Sequence, residues 1–292
     1  MALLQASING LFVGGVYAII SAGFCLVFGV MKLVNFAHGD FMMAAMYAVL
    51  YILLGTSANP YIVIPFIAVA FFFVGYVFQR LFINGILKRE RNVDSPNIRL
   101  FTIGVSFFLS NLALLIFSAN PRNIVTAYTG QTFKVAQLLI SQPRFYAFLI
   151  AIVCTVALYM ILFRTEMGRA LRAISQNRFT ALLMGINVQR LYCIAFGIGI
   201  GLVAISANIL IPFYYVFPTL ASVFGVKAFI IVVMGGLGNI TGSLLAGLLV
   251  GILEAVLGFL LGPTTAEMLI FIAFILTMLL RPNGLLSKGK TW

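Results

Sequence analysis

INGLFVGGVYAIISAGFCLVFGVMKLVNFAHGD, residues 8–40, decides how this chain is read. Its first part, residues 8–30, carries no charged side chain and is long enough for the roughly 20 apolar residues that cross about 30 Å of hydrocarbon. Its last part, Asn35-Phe36-Ala37-His38-Gly39-Asp40, is a polar island with the only histidine of the chain and one of its six acids. Apolar sequence resumes directly after it, up to residue 78. An unpaired carboxylate or imidazole in hydrocarbon costs several kcal/mol. Polar groups at this place therefore either line a watery path or satisfy a helix end.

Working outward, the 292 residues are 63% hydrophobic and 8% charged, against about half and a quarter in soluble domains. Backbone that crosses lipid must satisfy its own hydrogen bonds, so the expectation is an all-α, polytopic helical membrane protein, read as a single transmembrane domain over residues 1–292. No Lys or Arg precedes Lys32, so the first apolar segment lacks the basic leader of a cleaved signal peptide and is expected to stay as a span. The net charge of +12 does not point to nucleic acid, because the basic residues gather in short loops between apolar segments. Thirteen of the eighteen lie in residues 80–99 (Arg80, Lys88, Arg89, Arg91 and Arg99), 164–190 (Arg164, Arg169, Arg172, Arg178 and Arg190) and 281–292 (Arg281, Lys288 and Lys290). By the positive-inside rule these stretches are cytoplasmic. The polar residues 119–144 then fall outside, although Arg122, Lys134 and Arg144 run against the rule. Spans are expected over residues 8–30, 41–54, 61–78, 100–118, 145–163, 191–214, 220–234, 243–261 and 267–280, about eight to nine in all, with the N-terminus outside. Residues 41–54 and 220–234 are short for a crossing.

Cys25, Cys154 and Cys193 stand singly within spans, without a metal-ligand spacing, so they read as packing residues and no metal is expected. A phosphate-binding GxxxxGK[ST] loop, a helical HExxH and a GxSxG elbow are all missing, which argues against an enzyme and against an ATPase site in this chain. Gly235-Gly236-Leu237-Gly238-Asn239, with Gly242, interrupts the C-terminal apolar region much as the island interrupts the N-terminal one. It reads either as a tight turn or as the island's counterpart in an internal repeat around a transport path. The small-residue series Gly235, Asn239, Ser243, Gly247 and Gly251 suits close helix packing. Glu254 is the acid deepest in a span, a functional candidate unless a neighbouring helix satisfies it; Glu267 reads as interfacial. In residues 164–190, Met167, Leu171, Ile174, Ala181, Leu182 and Gly185 recur at helical spacing opposite Arg169, Arg172, Gln176 and Arg178. That pattern predicts a pair of short amphipathic helices, lying on anionic lipid or seated in a partner's groove.

Taken together, the segment Gly29-Val30-Met31-Lys32-Leu33-Val34-Asn35-Phe36-Ala37-His38-Gly39-Asp40, then Met167-Gly168-Arg169-Ala170-Leu171-Arg172-Ala173, Met184-Gly185-Ile186-Asn187, and Gly235 to Asn239 with Gly242 and Glu254, closely resembles the LivH-type permeases of bacterial branched-chain amino acid ABC importers. Urea and short-amide importers share much of the pattern. The resemblance implies a permease of the inner membrane working with a second, related permease, two cytoplasmic ATPases that bind ATP and magnesium, and a periplasmic solute-binding protein. It implies an ATPase-coupling role for Arg169, Arg172, Asn177, Gly185 and Asn187. Asn35, His38, Asp40, Gly235, Gly236, Asn239 and Glu254 are the candidates for the translocation path or gate, with Asp40 also suited to capping the helix that follows it. An ion-coupled secondary transporter using Asp40 and Glu254 is the rival reading.

Overall fold

The computed structural model describes residues 1–56, 58–89, 96–126, 128–135, 138–281 and 284–285. Arg91, Lys288 and Lys290, expected in basic loops, lie outside the described residues. In chain order the elements are α1 (Ala2–Met31), α2 (His38–Thr56), α3 (Pro60–Phe78), α4 (Asn84–Arg89), α5 (Pro96–Phe117), β1 (Thr132–Val135), β2 (Leu138–Ser141), α6 (Gln142–Arg164), α7 (Glu166–Gln176), α8 (Arg178–Leu183), α9 (Val188–Leu210), α10 (Leu220–Gly235), α11 (Ile240–Leu261) and α12 (Pro263–Leu280). Among the described residues, eight helices are long and apolar enough to cross a membrane, and α10 is shorter. The chain is a multi-pass helical membrane protein.

Most expected span limits shift by a few residues, and two features go beyond them. The third span does not end at residue 78, because a π-helical turn, Gln79–Ile83, joins α3 to α4. Its buried Gln79 donates from Nε2 to Asn84 Oδ1 at 3.1 Å, and Asn84 Nδ2 reaches Cys193 Sγ at 3.2 Å, so that thiol is an acceptor as well as a packing group. Within residues 119–144 the strands β1 and β2 form an antiparallel hairpin, with Thr132 opposite Ser141.

The core is built around α1, which is buried over most of its length. Lipid tails are as apolar as the helices, so helices associate in a membrane by close packing and not by hydrophobic exclusion. Small residues set the contacts accordingly. Gly247 lies on Ala18 and Gly251 on Gly14, while Ser21 Oγ donates to the Ser243 carbonyl at 3.3 Å. A Cβ on Gly14 would come within 2.9 Å of the Leu248 carbonyl oxygen. In the same manner α9 crosses α1 where Gly199 meets Gly23, and holds α3 where Gly197 meets Phe72.

Helix α1 stops at Lys32, which takes a left-handed conformation (φ 55°) and bonds back to the Phe28 carbonyl at 2.7 Å. The next residues fold back. His38, the first residue of α2, has Nε2 3.1 Å from the Ile20 carbonyl, eleven residues or about 16 Å before the end of α1 at 1.5 Å per residue. Six extended residues reach about 20 Å, enough for this return. Thus α2 begins inside the span. The segment after α9 does the same from the other end: residue 216 is bridged to Arg122 by two 2.8 Å backbone bonds, and α10 starts at Leu220. From there α10 runs beside α1, pairing Phe224 with Tyr17 and Phe229 with Phe24, down to Gly238 against Gly29. Meanwhile α2 runs the opposite way along α5, from Asp40 beside Ser106 to Tyr47 stacked on Phe117. The order spanning helix, helix starting inside the span, spanning helix therefore occurs twice and inverted: α1, α2, α3 and α9, α10, α11, with α1 packed on α11 as α9 is on α3. The island's counterpart is residues 211–219. The glycine cluster is instead the turn between α10 and α11, since both of those helix ends lie at the same, basic end of the molecule.

Candidate functional site

The two helices that start inside the span, α2 and α10, meet at their N-termini. Gly39 packs against the Ala221 carbonyl oxygen and against Gly225, a contact no larger residue permits. Beside this contact is a cavity of about 290 Å³, walled by the island, by the first turns of α10 and by α5. It lies at the lower end of the roughly 300–1,000 Å³ usual for small-molecule sites. Phe24, Phe36, Phe107 and Phe229 give it apolar sides.

Its polar groups are set by local bonds. Asn35 Oδ1 accepts from the Ala37 N–H at 3.1 Å, and the Asn35 carbonyl accepts from His38 N–H at 3.3 Å, so Asn35 shapes the entry into α2. Asp40 is not the cap it was expected to be. It is the third residue of α2, and its two carboxylate oxygens accept from Ser106 Oγ (2.5 Å) and Ser110 Oγ (2.6 Å). Those serines stand one turn apart on α5, and the N-terminal end of α2 adds a favourable dipole for the acid. A carbonyl only accepts, so His38 Nε2 carries the hydrogen donated to Ile20, and Nδ1 is left as an acceptor. Both His38 Nδ1 and Asn35 Nδ2 are buried without a hydrogen-bond partner, in residues only 1% and 2% exposed.

The other expected path residues lie elsewhere. Gly236 (φ 103°) and Gly238 (φ 84°) make the left-handed steps of the α10–α11 turn, Gly235 packs on Gly242 and Ser243, and Asn239 Oδ1 caps α11 by accepting from Gly242 N–H at 3.1 Å. Glu254 has a partner that the sequence reading missed. Lys227 of α10 places Nζ 2.7 Å from Glu254 Oε1 and 3.3 Å from Glu267 Oε1, over the ring of Tyr17. The acid is therefore held by a cation, and Glu267 is an ion-pair partner and not merely interfacial. One lysine inside the apolar residues 220–234 was the available signal.

At the basic end, α7 and α8 fill residues 166–183. Leu171, Ile174 and Ala181 face inward, as their spacing implied, while Met167 and Leu182 are exposed. Arg169 pairs with Glu166 at 3.3 Å in an exposed i, i+3 contact. Arg172 lays its guanidinium 4.8 Å from the ring centre of Phe163, fastening α7 to α6. Asn177 Oδ1 caps α8 through Phe179 and Thr180 N–H, Asn187 Oδ1 caps α9 through Arg190 N–H, and Gly185 turns the chain between them at φ 79°. Phe179, Leu182, Leu183 and Met184 form an exposed apolar knob around α8.

Comparison with known proteins identifies a family match over residues 6–279, described as branched-chain amino acid transport system, permease component. The chain is 30% identical to the Pseudomonas aeruginosa high-affinity branched-chain amino acid transport system permease protein BraD, over 98% of this chain and 96% of that protein. It is 29% identical to the Escherichia coli K12 permease protein LivH, with the same coverage. A probable branched-chain amino acid transport permease of Methanocaldococcus jannaschii is 24% identical over 94% of this chain and 89% of that one. No solved structure matches.

Proposed function

The chain belongs to the family of branched-chain amino acid transport system permease components, and from that premise we propose that it is the membrane-spanning subunit of an ATP-driven importer for branched-chain, aliphatic amino acids. In this reading it sits in a bacterial inner membrane beside a second permease. Two separate cytoplasmic ATPases bind ATP and magnesium, and a periplasmic protein delivers the solute. The observation that carries the reading is the meeting of α2 and α10 inside the span, around a cavity with buried polar groups. Broken helices of this kind mark substrate paths at mid-membrane in transporters.

The cytoplasmic side supplies the drive. The apolar knob of α8, held on the rigid caps Asn177 and Asn187, suits a groove of an ATPase in the helix-in-groove mode, so that closure of two ATPases pulls α7 and α8 and tilts the helices behind them. Arg172 transmits this pull to α6 through Phe163. The ion-coupled rival needs acids free to take up an ion, whereas Asp40 accepts from two serines and Glu254 is paired with Lys227. Uptake of radiolabelled leucine into proteoliposomes holding this chain with its candidate partners tests the reading. ATP-dependent leucine uptake that excess urea leaves unchanged supports it. Uptake of urea in place of leucine, or uptake without ATPases, overturns it.

A further inference from the structure

Arg144 is a cation that nothing described so far accounts for. It lies in the first turn of α6, where the positive end of the helix disfavours it, and at the outer end of the molecule, where a basic residue runs against the positive-inside rule. By contrast, Arg122 donates to Tyr51 Oη at 2.5 Å and to the Phe117 carbonyl at 2.9 Å, and Lys227 is paired with Glu254 and Glu267. Arg144 pairs with no acid among the described residues. The side chain is half-buried, its Nε is buried without a hydrogen-bond partner, and its guanidinium lies 5.8 Å from the ring centre of Phe213. A guanidinium steadied by an aromatic ring keeps its terminal N–H groups for another acceptor.

Arg144 lines two cavities, of about 270 and about 240 Å³. Glu254 and Glu267 border the first, so an anion there meets like charge. No acid borders the second, where Asn123, Thr129 and Tyr215 bring polar groups and Phe213 and Tyr214 bring aromatic rings. Its walls are the outer loop and residues 212–215, tied together by Thr129 Oγ1 donating to the Pro212 carbonyl at 3.3 Å and by the backbone bridge between Arg122 and residue 216. Tyr214 in turn packs on Phe224 of α10, with ring centres 5.4 Å apart. The second cavity therefore stands on the outer approach to the first turns of α10. We propose that it is a carboxylate subsite at the outer mouth of the path, a reading that rests on the importer assignment. Arg144 takes the carboxylate of the incoming amino acid through its two terminal nitrogens, the paired geometry that suits a guanidinium, and the aliphatic side chain lies against Phe213 and Tyr214. The amide of the same amino acid lacks the negative charge and is held poorly.

The test uses the importer complex in proteoliposomes, with the solute-binding protein added last. Phenylglyoxal modifies accessible guanidinium groups, and peptide mass spectrometry reads the rate at Arg144. Leucine is expected to slow that rate severalfold and leucinamide to leave it unchanged. Slowing by the binding protein without leucine, or by anionic phospholipid alone, assigns the arginine to a partner's acid or to a lipid phosphate and overturns the proposal. Arg144→Gln is expected to lower leucine molecules moved per ATP hydrolysed by about tenfold, the scale of one lost bond to a charged group, with the unfolding midpoint unchanged. Arg144→Lys keeps the charge but not the fork and recovers part of the loss. Unchanged coupling in Arg144→Gln overturns the subsite. So does a lower unfolding midpoint with uptake and hydrolysis falling together, the mark of a structural arginine. Absence of ATP-driven leucine uptake in the wild type instead counts against the importer reading itself.

Discussion

Replacing Lys227 with Met removes the cation paired with Glu254 and leaves that acid with one oxygen, Oε2, already lacking a partner. Removing one member of a buried pair costs about 3–5 kcal/mol, because the remaining charge is uncompensated. The side chains here are 13% and 25% exposed, so partial hydration puts the expected loss at the lower end, about 3 kcal/mol. The 3.3 Å contact to Glu267 adds little, since that side chain is half exposed. At about 2 °C per kcal/mol for a chain of this size, the unfolding midpoint in detergent falls by about 6 °C. The double variant Lys227→Met with Glu254→Gln removes both charges, and most of the loss is regained; a double-mutant cycle then gives a coupling of about 2 kcal/mol. Losses in the two single variants that simply add would show that the pair does not hold α10 to α11, and the reasoning would fail.

Other expectations follow from the same geometry. Gly39→Ala drives a Cβ into the Ala221 carbonyl and the Gly225 backbone; overpacking of this kind costs about 3 kcal/mol, seen as a lower unfolding midpoint together with lost uptake. Leu183→Asp, at a side chain exposed on α8, leaves stability within about 0.5 kcal/mol but abolishes co-purification with the ATPases. If the ATPases still co-purify, the knob is not their docking point. Asn177→Ala deletes the α8 cap at about 1 kcal/mol, so amide exchange over residues 179–184 speeds up about fivefold while α6 and α9 are unchanged.

The spans were legible in the chain because hydrocarbon thickness and backbone satisfaction leave few choices: residues 8–30 could only be a crossing helix, and α1 extends that stretch at both ends. Stacked small residues such as Gly247 and Gly251 were readable for a similar reason, since their use depends on a helical period alone. Periodicity likewise placed Leu171, Ile174 and Ala181 on the buried side of α7 and α8. The basic loops, read as one end of the molecule, were legible from charge alone.

What tertiary structure alone decided is which polar groups answer one another. Asp40 looked like a cap because the local chain shows only its own helix; its donors, Ser106 and Ser110, lie on α5 and nothing in the island announces them. Glu254 looked solitary because Lys227 belongs to a different helix, brought opposite by the packing of α10 on α11. Of the two readings open for the glycine cluster, the packing chose the turn, and the island's counterpart is residues 211–219, a segment without glycine. Hydropathy is a sum along the chain and fixes where helices cross. The depth at which α2 and α10 start depends instead on contacts across it, above all Gly39 on Ala221 and His38 on Ile20, and those exist only once the helices are packed.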